Sequence, residues 1–203
     1  MALSLRFDDL WHAYPKPEHG DEAAQRRSRL ALFRQIGWES RVDDPACENA
    51  CAIRMSLALI ECGVHVDGND PILAGRYKGM KIETSRARLA QQLSGPAYLG
   101  APRRLDVTNL RGLMTWAEQG IIAFDETPGY DGGHIDLLRN AWLASAFESH
   151  DLHRVLAASA RRMTWRMAWR DNKLGDEDMR YADTADADDS YEFRSTLYFW
   201  PLA

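Results

Sequence analysis

The sequence predicts an α+β fold in which N-terminal helices, one of them carrying a cysteine, pack on an antiparallel sheet, with a helical and acidic insertion before the last strand. Three observations support this. Segments with helical spacing of apolar residues dominate the first half of the chain. Short apolar runs bounded by turn residues, the pattern of strands, fall in the second half. The chain closes on Thr196-Leu197-Tyr198-Phe199-Trp200-Pro201, a run that can finish a sheet. The 203 residues suit a single domain, 1–203, that buries a full core without disulfide or metal support.

Taken in order, Leu10-Trp11-His12-Ala13-Tyr14 reads as a short helix stopped by Pro15. From 21 to 37, Leu30, Phe33 and Ile36 set an amphipathic helix closed by Gly37, with Arg26, Arg27, Arg29 and Arg34 on its wet side. A loop over 38–46, with Asp43-Asp44-Pro45 as turn chemistry, leads to the cysteine helix. There Ala52, Met55, Leu59 and Cys62 fall on one side of a helix running to Gly63, with Asn49 as its N-cap. The turn-rich span 64–81 has the length of a functional or mobile loop and is a candidate wall of a cleft. A short helix follows over 84–93. Val107, Leu110, Leu113, Met114 and Ala117 share the face of a further helix, stopped by Gly120. Ile121-Ile122-Ala123-Phe124 fits a buried strand, a glycine-rich turn follows over 128–133, and His134-Ile135-Asp136-Leu137-Leu138 resumes as strand. Helix formers fill 141–169, and 171–191 is acidic and poor in large apolar residues, as an exposed loop would be.

Composition narrows the function. A formal net charge of -5 argues against a nucleic-acid-binding surface. The first residues carry no secretory signal pattern, and no window is apolar and long enough to span a bilayer, so a cytoplasmic origin without membrane insertion is expected. Cys47, Cys51 and Cys62 form no Cys-x-x-Cys pair, which suggests neither a zinc site nor a redox motif; no cofactor is expected. Bridging Cys47 to Cys62 would need helix registers that do not favour it.

Chemistry is concentrated in two places. In the first turn of its helix, Cys51 meets free backbone N–H groups and the positive end of the helix dipole, both of which favour the thiolate. The competing reading makes it one more small core residue. His134 is the candidate base, and alternation puts Asp136 on the same side of the strand, able to fix the ring's tautomer. Their competing readings are a hydrogen-bonded core histidine and a surface acid on an edge strand. Gly133, with Gly132, keeps backbone bulk away from the histidine so that a substrate can approach. The Cys51 backbone N–H and the Asn49 side chain are the candidate oxyanion donors. His12, His19, His65, His150 and His153 lack comparable surroundings.

Asn49-Ala50-Cys51-Ala52-Ile53-Arg54-Met55-Ser56, then Gly133-His134-Ile135-Asp136-Leu137, then Tyr198-Phe199-Trp200-Pro201-Leu202, resemble the fourth family of type VI secretion amidase effectors, bacterial toxins with a papain-like, NlpC-type fold. The resemblance implies a cysteine hydrolase that cuts the amide between γ-D-glutamate and meso-diaminopimelate in the peptidoglycan stem peptide. It also implies delivery by the type VI secretion machinery into the periplasm of a rival cell, and a cognate immunity protein as partner. Cys51 takes the place of the nucleophile and His134 that of the base. The family's third member is an aspartate in the loop beyond the histidine strand, where this chain has no acid over 139–145; Asp136, Ser145, Glu148 and Asp151 are the alternatives. The insertion over 141–191 exceeds the family's expected length. A papain-like protease or acyltransferase, and an inactive binding module, are the other readings.

Overall fold

The computed structural model describes residues 4–17, 22–47, 50–105, 118–124, 134–139, 142–143 and 197–203. Four helices, α1 (Phe7–Ala13), α2 (Glu22–Ile36), α3 (Cys51–Glu61) and α4 (Arg86–Leu93), accompany a two-stranded ribbon of β1 (Asp70–Pro71) and β2 (Lys81–Ile82). The main sheet is built from β3 (Arg103–Leu105), β4 (Gln119–Phe124), β5 (His134–Arg139), β6 (Trp142–Leu143) and β7 (Leu197–Pro201). Its order is β3-β7-β4-β5-β6, antiparallel throughout. The α+β class expected from the sequence is therefore the one observed.

The core is centred on α3, whose residues from Cys51 to Ile60 are all buried. The single apolar side expected from Ala52, Met55, Leu59 and Cys62 is thus too narrow. A helix covered on every side is the middle of a core, not a lid on it. Its C-terminus is closed by Gly63 at φ 77°, with the Gly63 N–H donating to the Ile60 carbonyl and the Val64 N–H to the Leu59 carbonyl, both at 2.9 Å. This pair of reversed bonds satisfies carbonyls that the helix leaves open, and only a residue tolerant of the left-handed region fits there. Its N-terminus differs from expectation. Ala50 occupies the cap position, with no side-chain capping bond, and its carbonyl accepts the first helical bond from the Arg54 N–H at 2.9 Å. Cys51 is consequently the first helical residue; Asn49 lies outside the described residues.

The span 64–81 is pinned to the core at several points. Val64, Val66 and Ile72 are buried, the Leu73 N–H donates to the Ile36 carbonyl at 2.8 Å, and the Trp38 indole donates to the Pro71 carbonyl at 2.9 Å. Gly75 lies so close to α2 that a β-carbon would stand 2.4 Å from the Gln35 carbonyl oxygen. These contacts make the span a brace for the end of α2.

Gly120 belongs to β4, paired with Leu138 and Pro201, instead of simply stopping a helix. A β-carbon there would lie 2.1 Å from the Trp200 carbonyl oxygen, so only glycine lets β7 approach β4 at this point. The chain's last strand is inserted between β3 and β4, and the Phe7 N–H donates to the Ala203 carbonyl at 2.8 Å, tying the two ends together. Residues 142–143, expected within a helix, instead pair with β5 as Arg139 with Trp142 and Leu138 with Leu143. The rest of the 141–191 segment, the helix expected over 107–117 and the turn over 128–133 lie outside the described residues.

Candidate active site

Two elements distant in sequence supply the site. Cys51 opens α3 and His134 opens β5, and the two elements pack together. Cys51 is 6% exposed and His134 5%, so both are lodged in the protein interior while a little of each still meets solvent. The imidazole hydrogen-bonds the Cys51 side chain.

Asp136 stands two residues along β5, on the same face as His134, with its Oδ2 3.2 Å from His134 Nε2. It is fully buried, which removes the reading of a surface acid. Its other oxygen, Oδ1, accepts from the Leu137 N–H at 2.8 Å, which fixes the carboxylate's orientation. Burial opposes charging of the imidazole. Hydrogen bonds to Asp136 and to Cys51, with the fields of both, outweigh it and raise the His134 pKa to about 10. The ring is thus held cationic by its two partners.

Two further groups surround this trio and were not among the residues expected from the sequence. Arg54, one turn beyond Cys51 on α3, is buried; its Nη1 donates to the Pro15 carbonyl at 2.6 Å and its Nη2 to the Ser28 hydroxyl at 3.4 Å. Burial pulls its pKa down, while the charges of Tyr14, Asp136 and Cys51 act to raise it. Tyr14, just beyond α1, is buried, and among the described residues none meets its hydroxyl with good hydrogen-bond geometry. Burial and the nearby Asp136 carboxylate raise its pKa well above the usual tyrosine value. Its phenol therefore stays neutral beside Asp136. One signal in the sequence pointed to Arg54: it is the lone charged residue between Cys51 and Ile60, in a run otherwise apolar but for Ser56.

The remaining candidates stand apart or are not described. Asn49, Gly133, Ser145, Glu148 and Asp151 lie outside the described residues, as do His19, His150 and His153. His12 is exposed and contacts the Asp8 carbonyl at 2.7 Å, and His65 forms an exposed pair with Asp67 at 2.9 Å. None of the three cysteines is in a disulfide; burial raises the thiol pKa of Cys47 and of Cys62. Among the described residues no group of three or more His, Cys, Asp or Glu side chains is placed to hold a metal ion, and no helix is long and apolar enough to cross a membrane. A thiol, an imidazole and a carboxylate in series, with the thiol at a helix start, can form an acyl-enzyme and resolve it.

Comparison with known proteins bears on what that chemistry serves. The family described as type VI secretion system (T6SS), amidase effector protein 4, matches residues 47–200. No curated protein sequence matches. Among solved structures, the type VI effector Tae4 from Enterobacter cloacae is similar at 16% identity, with all of both chains covered and a TM-score of 0.58. Tae4 from Salmonella Typhimurium, solved in an effector–immunity complex with Tai4, is similar at 14% identity over 98% of each chain, with a TM-score of 0.55. At such identities these likenesses speak for the fold.

Proposed function

This chain belongs to the type VI secretion system amidase effector protein 4 family, and from that membership we propose that it is a cysteine peptidoglycan amidase with Cys51, His134 and Asp136 as its catalytic residues. The observation that carries the reading is the buried series of Cys51 side chain, His134 ring and Asp136 carboxylate. With Nε2 turned to the carboxylate, Nδ1 is the ring nitrogen left to exchange a proton with the thiol. The Cys51 thiolate attacks the γ-D-glutamyl carbonyl carbon, and the carbonyl π-electrons move to oxygen. As the first helical residue, Cys51 has a backbone N–H without an intrahelical acceptor, and that donor, with the Asn49 side chain, receives the oxyanion. The His134 imidazolium gives its proton to the departing meso-diaminopimelate amine, which leaves a thioester. The neutral ring next takes a proton from water, hydroxide attacks the thioester, and the thiolate returns. Asp136 keeps the ring in the productive tautomer throughout. Gly133 leaves room for the substrate beside the histidine.

The substrate is met in the periplasm of a target cell reached through the type VI machinery, and a cognate immunity protein covers the effector where it must be silenced. That its structural relatives have been solved with Tai4 immunity proteins supports the partner. The test is purified protein on muropeptides containing meso-diaminopimelate, with products identified by mass spectrometry. Wild type is expected to release products cut at the γ-D-glutamyl bond, and Cys51→Ala to lose about a thousandfold or more in rate. A Cys51→Ala protein as active as wild type would remove Cys51 from the mechanism. Cleavage at another bond would relocate the substrate assignment.

A further inference from the structure

A guanidinium withdrawn from water is ordinarily paired with a carboxylate, because an uncompensated buried charge is costly. Arg54 departs from this. Its hydrogen bonds go to neutral acceptors, the Pro15 carbonyl and the Ser28 hydroxyl, and among the described residues it makes no direct ion pair. The ionisable groups whose fields reach it are Tyr14 from the end of α1, Asp136 from β5, Cys51 from its own helix and, as an opposing cation, Arg29 from α2. His134 completes the set around Cys51. When the thiol is ionised and the imidazole protonated, thiolate and carboxylate are two negative charges in the interior. The imidazolium balances one of them. Arg54 balances the other.

We propose that Arg54 is a positioning residue that acts through its charge: a fixed internal cation, anchored by Pro15 and Ser28, that makes the ionised cluster of Cys51, His134 and Asp136 neutral as a whole. The inference deepens the catalytic reading above and rests on it. It also gives the N-terminal segment a role, since Tyr14, Pro15 and Ser28 all precede residue 47, where the family match begins. That segment does more than cover the core. It holds the counter-charge of the site.

The experiment is the rate of iodoacetamide alkylation at Cys51 as a function of pH, read by peptide mass spectrometry in wild type, Arg54→Met, Arg54→Lys and Ser28→Ala. Removing the cation in Arg54→Met is expected to move the midpoint of the profile up by about one pH unit or more, the usual scale for losing a nearby opposite charge. Arg54→Lys keeps the charge and is expected to return the midpoint to near wild type. Ser28→Ala removes one anchor without touching charge and is expected to leave it unmoved. An unchanged profile in Arg54→Met overturns the proposal, and so does a shift in Arg54→Lys as large as the one in Arg54→Met, which would mean bracing alone. If Arg54→Met does not fold, Arg54→Gln, which also removes the charge, takes its place and is read on the same terms. An inactive Cys51→Ala together with an unmoved Arg54→Met profile would sink this inference alone. An active Cys51→Ala would sink the catalytic reading itself.

Discussion

Among the described residues two carboxylates are withdrawn from solvent, Glu83 before α4 and Asp136 on β5, and their surroundings differ in kind. Glu83 is saturated. Its Oε1 accepts from the Ser85 N–H at 2.6 Å and from Arg88 Nη2 at 2.8 Å, its Oε2 accepts from Arg88 Nε at 2.9 Å, and its backbone is bonded to the Ser56 hydroxyl. Every partner is a permanent donor, so no proton has anywhere to go. Asp136 faces a titratable ring that in turn faces a thiol. Burial of an acid is common to both places. What separates a helix-start brace from a candidate catalytic centre is whether the acid's partner can gain and lose a proton.

The largest expected difference is in activity. Asp136→Asn keeps shape but favours the wrong ring tautomer, and a loss of about a hundred- to ten-thousandfold in kcat on muropeptides is expected. Glu83→Gln, tested the same way, should stay within about tenfold when rates are normalised to folded protein. Comparable losses in the two variants would erase the distinction.

The pH dependence of stability should separate the two next. His134 has a folded-state pKa of about 10 against an ordinary 6.5, so its protonated form favours the native state. That contribution is complete below about 6.5 and is lost as pH rises toward about 10. Urea midpoints in wild type are expected to fall across this window and to fall less in Asp136→Asn. A slope as steep in the variant as in wild type would remove Asp136 as the cause.

Glu83→Ala should act on stability alone. It leaves the half-buried Ser85 N–H without its acceptor, at a cost of about 0.5–1.5 kcal/mol in urea unfolding. The Arg88 pairing adds little because that guanidinium is half exposed. Full activity per folded molecule is the accompanying expectation. The smallest effect sought is one of order: near neutral pH, iodoacetamide should label Cys51 before Cys62, even though Cys62 is the more exposed thiol, because burial raises the Cys62 pKa. Faster labelling of Cys62 would argue for an unactivated Cys51.

Much of this was legible in the residue order, and the misreadings have physical causes. Strand alternation put His134 and Asp136 on one face, and the 3.2 Å contact follows from that period. Gly37 and Gly63 close their helices as expected, both at positive φ. The span 64–81 looked like an open loop because turn residues dominate it, yet Trp38, Ile36 and Gln35 pin it from outside the segment, where no local pattern records them. Gly120 was read only as a helix stop, and its part in letting two strands meet was not foreseen.

Residue order alone determined which atoms are available and which of them lie near one another along a single element: a cysteine at a helix start, a histidine and an aspartate on one strand face. Tertiary packing decided that helix and strand meet, that Asp136 is interior, and that Arg54 and Tyr14 stand beside it. Such meetings depend on contacts between segments dozens of residues apart, and on a final strand that enters the middle of the sheet. Local periodicity carries no information about either.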